Sequence, residues 1–187
     1  MNSDHHVIGN GESRKDLNVD NLHGTKYGCN AIYRDWYTDY LFNKDKPIQH
    51  EILDSYCWQD RKVIIQTRWY GQGHYSEAYN TMSLWKDVLG TNDYTDAGSA
   101  ALQYASMKAK AFGGTVYMYG FDFDKADGPI NNIYKNTDNY STRLKQRKGV
   151  TSMFLETFNK FPKVKYVHVN TNMPELLEQY ENVSWQT

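Results

Sequence analysis

The chain has 187 residues, enough for one domain with a sizeable core. With 21 basic against 22 acidic residues, its net charge of −1 gives no electrostatic case for duplex nucleic acid or an anionic membrane. No apolar run nears the roughly 18 residues of a membrane span, the polar start Met1–His6 is not a signal peptide, and Cys29 and Cys57 lack a CxxC spacing, so the expectation is a reduced, cytoplasmic protein.

Val7-Ile8 predicts a first strand, and it runs straight into Gly9-Asn10-Gly11-Glu12-Ser13-Arg14-Lys15. Glycines at a strand end remove side-chain bulk and let backbone amides turn toward a ligand. In an open α/β sheet that is also where ligands bind. A tight turn after an edge strand would use the same residues. The spacing is neither Gly-x-Gly-x-x-Gly, since Ser13 and Arg14 stand where a third glycine belongs, nor a Walker loop.

Asp16–Gly24 reads as a short, half-buried connection, and Lys26–Tyr33 as a second strand with Asn30 inside it. A buried asparagine must find partners for its amide, so it either pins a loop or faces a ligand. Tyr40–Phe42 is a brief third strand, Pro47–Leu53 a helix opened by proline, and Lys62–Thr67 a central strand. Within Arg68–Thr95, Trp69–Tyr75 reads as a mobile aromatic loop and Met82–Leu89 as a weak amphipathic stretch.

Asp96–Phe112 is the clearest helix. Ala97, Ala101, Ala105 and Ala109 recur every four residues, Asp96 stands at the N-cap, Ser99 lies in the first turn, and Gly113-Gly114 ends it. Thr115–Tyr119 follows as a buried strand running into Gly120-Phe121-Asp122-Phe123-Asp124. Asp122 and Asp124 fall on one side of an extended backbone; such a pair holds a divalent metal in some enzymes, but Asp122 also suits a turn cap or a hydroxyl contact. A polar loop follows to Ser141, then a helix with Val150, Phe154, Phe158 and Phe161 on one face, a strand Val164–Val169 and a closing helix Pro174–Tyr180. Arg14, Lys15 and the Arg143–Lys148 cations are phosphate partners if they flank the strand ends, and otherwise a solvated helix start.

Strand, helix, two glycines and strand imply a parallel crossover. This order, together with a family resemblance of its motifs, gives the expected fold class as α/β, a single Rossmann-like domain with a mostly parallel sheet of five or six strands and helices on both faces. Sixteen tyrosines, five tryptophans and many asparagines suit a site that stacks and hydrogen-bonds a base or sugar, and equally a tyrosine-rich core.

Taken in order, the motifs resemble those of bacterial sialyltransferases. Val7-Ile8-Gly9-Asn10-Gly11-Glu12-Ser13 is similar to their Gly-Asn-Gly-Pro-Ser turn, Cys29-Asn30-Ala31-Ile32-Tyr33 to their Cys-Asn-x-x-Tyr, and Gly120-Phe121-Asp122-Phe123 to their Gly-Ile-Asp-Phe. Uncharacterised, often phage-borne cousins share the Gly-Asn-Gly-Glu-Ser-Arg opening and the Asn-Asn-Ile-Tyr loop. The resemblance implies a glycosyltransferase-like fold that binds a cytidine nucleotide at the strand ends without metal. It implies that Asn10 and Asn30 hold the phosphate and ribose, that the Gly9–Gly11 backbone passes beneath them, and that Tyr134 and Tyr140 bond the leaving phosphate. Ser13, Arg14, Ser99 and Asp122 complete the expected nucleotide site. Two departures stand out. The family's Ser-Gly before the long helix is Ala97-Gly98 here, and its histidine base after the tyrosine loop is missing, because Thr142–Gly149 holds none. The lysines there would be poor bases without a large pKa shift, and His74 is the candidate substitute.

Two functions follow as expectations: a glycosyltransferase acting on a nucleotide sugar, or an inactive relative that sequesters a nucleotide. The ligand is a small nucleotide in either case, with no other cofactor, and self-association stays open. Asn30→Ala is expected to weaken nucleotide binding and leave the melting temperature nearly unchanged.

Overall fold

The computed structural model describes residues 3–70, 72–93, 96–122, 132–140, 150–170 and 174–187. They form one sheet of eight strands, β1 (His5–Ile8), β2 (Thr25–Cys29), β3 (Tyr40–Asn43), β4 (Lys62–Ile65), β5 (Ser83–Leu84), β6 (Thr115–Tyr119), β7 (Lys165–Val169) and β8 (Val183–Gln186). Every neighbouring pair is parallel, in the order β5-β4-β3-β2-β1-β6-β7-β8. Side chains alternate across it, so Val7 joins one core and Ile8 the other, and likewise Met118 and Tyr119.

The helices are α1 (Lys46–Asp54), α2 (Gln72–Thr81), α3 (Trp85–Leu89), α4 (Ala97–Phe112), α5 (Val150–Lys160) and α6 (Glu175–Glu178). α4 lies over β1, β2 and β3. Its alanine ridge is at most 5% exposed at each of Ala97, Ala101, Ala105 and Ala109, which lets the helix sit close to the strands. Asp96 caps it by accepting the Ser99 amide at 2.9 Å. α3, α5 and α6 share this face, whereas α1 and α2 pack on the other around Ile48, Ile52 and Tyr79. An α/β, Rossmann-like arrangement with helices on both faces is thus what the chain adopts.

The strand order reverses at β1. Chain growth runs from β1 outward to β5, then α4 returns it to β6 on β1's other side. The carboxyl ends of β1 and β6 therefore form the switch point at which ligands of open α/β sheets bind.

Several expectations need correction. Eight strands form rather than five or six; β5 and β8 are short edge strands with little apolar pattern. β4 is second from the edge, not central. Trp69–Tyr75 is not wholly a loop, since α2 begins at Gln72. Asn30 is not mid-strand: β2 stops at Cys29, and Asn30 opens a 3₁₀ turn to Arg34 with φ of +49°. Asparagine tolerates that left-handed conformation better than valine or threonine.

Candidate functional site

Gly9 and Gly11 bring the end of β1 against the end of β6. The Gly9 amide donates to Tyr119 O at 2.8 Å and the Gly11 amide to Gly120 O at 2.9 Å. A Cβ at either position would lie 2.6 Å from Gly120 O. These amides are committed to β6 and do not face outward, contrary to the expectation that they cradle a ligand. The glycines serve the close approach of two backbones.

What does face the site are side chains. A 3₁₀ turn over Glu12–Arg14 directs Arg14 inward, where only 3% of it is exposed. Its Nε donates to Gly9 O, and its Nη2 donates to Asn10 Oδ1 at 3.2 Å and to the Tyr134 hydroxyl at 3.1 Å. The Tyr134 hydroxyl in turn donates to Asp35 Oδ2 at 2.6 Å. Burial, then this bond to Asp35, pushes the Tyr134 phenol well above its ordinary range, so it remains a donor. Among the described residues no carboxylate lies within 4.0 Å of Arg14, and its Nη1 makes no hydrogen bond. A buried guanidinium whose direct partners are all uncharged is favourably placed to receive an anion.

Asn10 couples this cluster to β2, its Nδ2 donating to Cys29 O at 3.2 Å. One residue on, Asn30 Nδ2 donates to Asp45 Oδ2 at 2.9 Å, and Asn30 Oδ1 accepts from Asn43 Nδ2 at 3.2 Å and the Lys44 amide at 3.4 Å. Asp45 occupies the N-cap of α1 but makes no side-chain cap there, its carboxylate being turned toward Asn30. The amide of Asn30 is therefore engaged by the protein.

The segment 132–140 covers these strand ends. Ile133 N donates to Asn10 O at 2.9 Å, and Lys135 pairs with Glu12. Tyr134 and Tyr140 pack with ring centroids 5.9 Å apart, and the Arg34 guanidinium lies 5.8 Å from each ring. Arg34 also donates to Thr137 Oγ1 at 2.8 Å and Asp138 O at 2.9 Å, while ion-pairing with Glu51. Burial works against the Glu51 carboxylate, but hydrogen bonds from Arg34, Asn139 and Tyr33 hold it below its usual range. The Tyr140 hydroxyl is buried with no hydrogen bond among the described residues. Burial drives that phenol up as well.

Asp122 bridges the glycine turn and β7, accepting from the Ser13 amide and from Asn170 Nδ2, each at 3.3 Å. Buried His168 supports the same corner, its Nε2 lying 2.9 Å from Phe121 O. Ser99 stands apart. It is fully buried, and its hydroxyl donates to Asp96 O at 3.0 Å, inside the first turn of α4. No hydrogen bond joins it to the Arg14 or Asn30 clusters among the described residues. His74 is exposed on α2 and packs edge-on against Tyr75. Asp124 and the Arg143–Lys148 cations lie outside the described residues. Among the described residues no group of three His, Cys, Asp or Glu side chains is arranged to hold a metal.

Arg34, Asp35, Asn43 and Asp45 also belong to this site, though the sequence reading did not single them out. Only Asp45 carried a signal, a carboxylate one residue before the start of a proline-opened helix. The assembled groups offer guanidinium, amide and phenol donors with carboxylates beside them, a set suited to phosphate oxygens and ribose hydroxyls. Comparison of the chain with protein-family models, curated proteins and solved structures finds no match, so its site is read from its own geometry.

Proposed function

We propose that this chain binds a nucleotide or nucleotide sugar at the carboxyl ends of β1, β2 and β6, as a glycosyltransferase-like protein. The observation that carries the reading is Arg14, a buried cation at the switch point whose direct partners among the described residues are all neutral. A phosphate would supply the missing charge, with Asn10 and Tyr134 positioned beside it. The resemblance of the Gly-Asn-Gly and Cys-Asn motifs to sialyltransferases supports cytidine as the base. Because the Gly9 and Gly11 amides are engaged by β6, recognition falls to side chains rather than to a backbone cradle.

A second reading, sequestration without transfer, is favoured by the sequence Thr142–Gly149, which offers lysines but no histidine as a base. Calorimetric titration with cytidine monophosphate and its sugar conjugates tests the binding common to both. Saturable binding is expected, weakened at least ~10-fold in Arg14→Gln and in Asn10→Ala, since hydrogen bonds to charged groups contribute about 1.5–3 kcal/mol. Absence of saturable binding to any cytidine nucleotide by the wild-type protein overturns the proposal. Release of free sugar or transfer to an acceptor then selects the enzyme, and stoichiometric binding without turnover selects sequestration.

A further inference from the structure

At the opposite end of the sheet, a cleft of about 820 Å³ opens between the C-termini of α4 and α5 and the starts of β6 and β7. Four lysines line it, Lys110, Lys160, Lys163 and Lys165, against one acid, Asp4. Among the described residues none of the four has a carboxylate within 4.0 Å. Asp4 already has a task, its Oδ1 accepting the Thr115 amide at 3.0 Å. Two of the cations lie near one ring, Lys110 Nζ at 5.9 Å and Lys160 Nζ at 5.8 Å from the centroid of Phe161.

Part of this charge has an ordinary explanation. Lys110 and Lys160 sit in the last turns of their helices, where each helix end presents roughly half a negative charge. Those two half-charges and Asp4 still leave the cleft with about two units of positive charge. Lys163 and Lys165 lie beyond the helix ends and gain nothing comparable from them. In a protein whose net charge is −1, four lysines around one cleft, none of them ion-paired among the described residues, is a local arrangement that the totals conceal. The floor beneath them is apolar, formed by Ala109, Phe161 and Val164.

We propose that this cleft is an anion site for clustered phosphate groups, at least two on one molecule, spatially separate from the nucleotide site. The volume falls in the range of small-molecule pockets. The required chemistry is shared by a free polyphosphate and by a phosphorylated lipid headgroup. Phe112, which ends α4 immediately before the cleft-lining Gly113, is 69% exposed and would meet a bilayer in the second case.

The test uses the full chain at low ionic strength. Inorganic tripolyphosphate is titrated calorimetrically, and sedimentation is measured with vesicles of phosphatidylcholine alone or mixed with phosphatidylinositol bisphosphate. Saturable binding to either phosphate-bearing probe is expected, reduced ~10-fold or more by Lys163→Glu combined with Lys165→Glu, since reversing two of the four cations removes the attraction for a multiply charged anion. Tripolyphosphate binding identifies a soluble ligand; binding only to the bisphosphate vesicles identifies a headgroup. The control pair Lys62→Glu and Lys86→Glu, exposed on other parts of the surface, should leave the affinity within ~2-fold, because distant exposed charges are screened. Equal loss in the control pair, or no binding to either probe, overturns the proposal. Because the charge reversals lie far from Arg14, failure here leaves binding of cytidine nucleotides unaffected and separately measurable.

Discussion

Asn30→Ala separates a structural amide from a ligand-binding one. Two contributions add at this position. Alanine at φ of +49° loses about 1 kcal/mol, because the left-handed region is disfavoured for residues with a Cβ and asparagine is better tolerated there. The substitution also removes the bond to Asp45 Oδ2 at 2.9 Å and the acceptor used by Asn43 Nδ2. Asn43 keeps a second acceptor, Asp45 O at 3.3 Å, but its own Oδ1 is already buried without a partner among the described residues. Loss of these bonds contributes a further 1–2 kcal/mol or so. The sum, about 2–3 kcal/mol, corresponds to a fall in melting temperature of roughly 5–10 °C for a chain of this size. Asn30→Gly relieves the backbone penalty and loses only the hydrogen bonds, so it should fall about 1 kcal/mol short of the alanine variant. Thermal and urea melts of the three proteins measure this directly. A melting temperature for Asn30→Ala within about 2 °C of wild type, or a glycine variant less stable than the alanine one, would refute the reasoning and return Asn30 to the role of ligand contact.

Gly11→Ala places a Cβ 2.6 Å from both Gly120 O and Asp122 Oδ2; it should lower stability by about 1–3 kcal/mol in urea melts, as overpacking does, and unchanged stability would mean that the turn is not held against β6. His5 and His6 are buried at the start of β1, their Nε2 atoms 3.1 Å from Gly113 O and 3.0 Å from His23 O, and burial lowers both imidazole pKa values despite those bonds. The unfolded chain then takes up protons that the folded one resists, so stability is full above the unfolded pKa of about 6.5 and declines below it, at up to about 2.7 kcal/mol per pH unit for the pair. Denaturation at pH 7.5 and 5.5 checks the sign, and a flat profile counts against it. Arg34→Ala should free the 132–140 segment, seen as faster amide hydrogen exchange at Asn136 and Thr137, whose amides bond Tyr140 O and Tyr134 O; unchanged protection would show that Arg14 and Ile133 suffice to hold it.

The regular frame was legible because its signals are local. A four-residue alanine repeat, an aspartate cap and a double glycine mark α4 without reference to anything else. β5 and β8 escaped because an edge strand of two or four residues carries too little apolar pattern. The site was legible only as single residues. Gly9, Asn10, Asn30, Tyr134 and Tyr140 do meet at the strand ends, yet the burial of Arg14 and its link through Tyr134 to Asp35 join residues 120 and 99 positions apart. Sequence periodicity does not register such separations. Nor does it show that Gly9 faces Gly120 instead of a ligand, because steric demand from a neighbouring backbone and from a phosphate both select glycine.

The position of β1 at the centre of the sheet has a consequence for how the chain acquires its structure. One partner of β1 is β2, made almost at once, but the other is β6, whose first residue, Thr115, bonds Asp4 across a sequence separation of 111. During synthesis the amino-terminal half can pair β1 through β5 and still present an open, apolar β1 flank until Tyr119 has left the ribosome. Non-local parallel pairing of this kind is slow and leaves strand edges exposed to association. The glycine turn, Arg14 and the 132–140 segment come together later still, so the proposed site cannot assemble until the chain has been made well past β6.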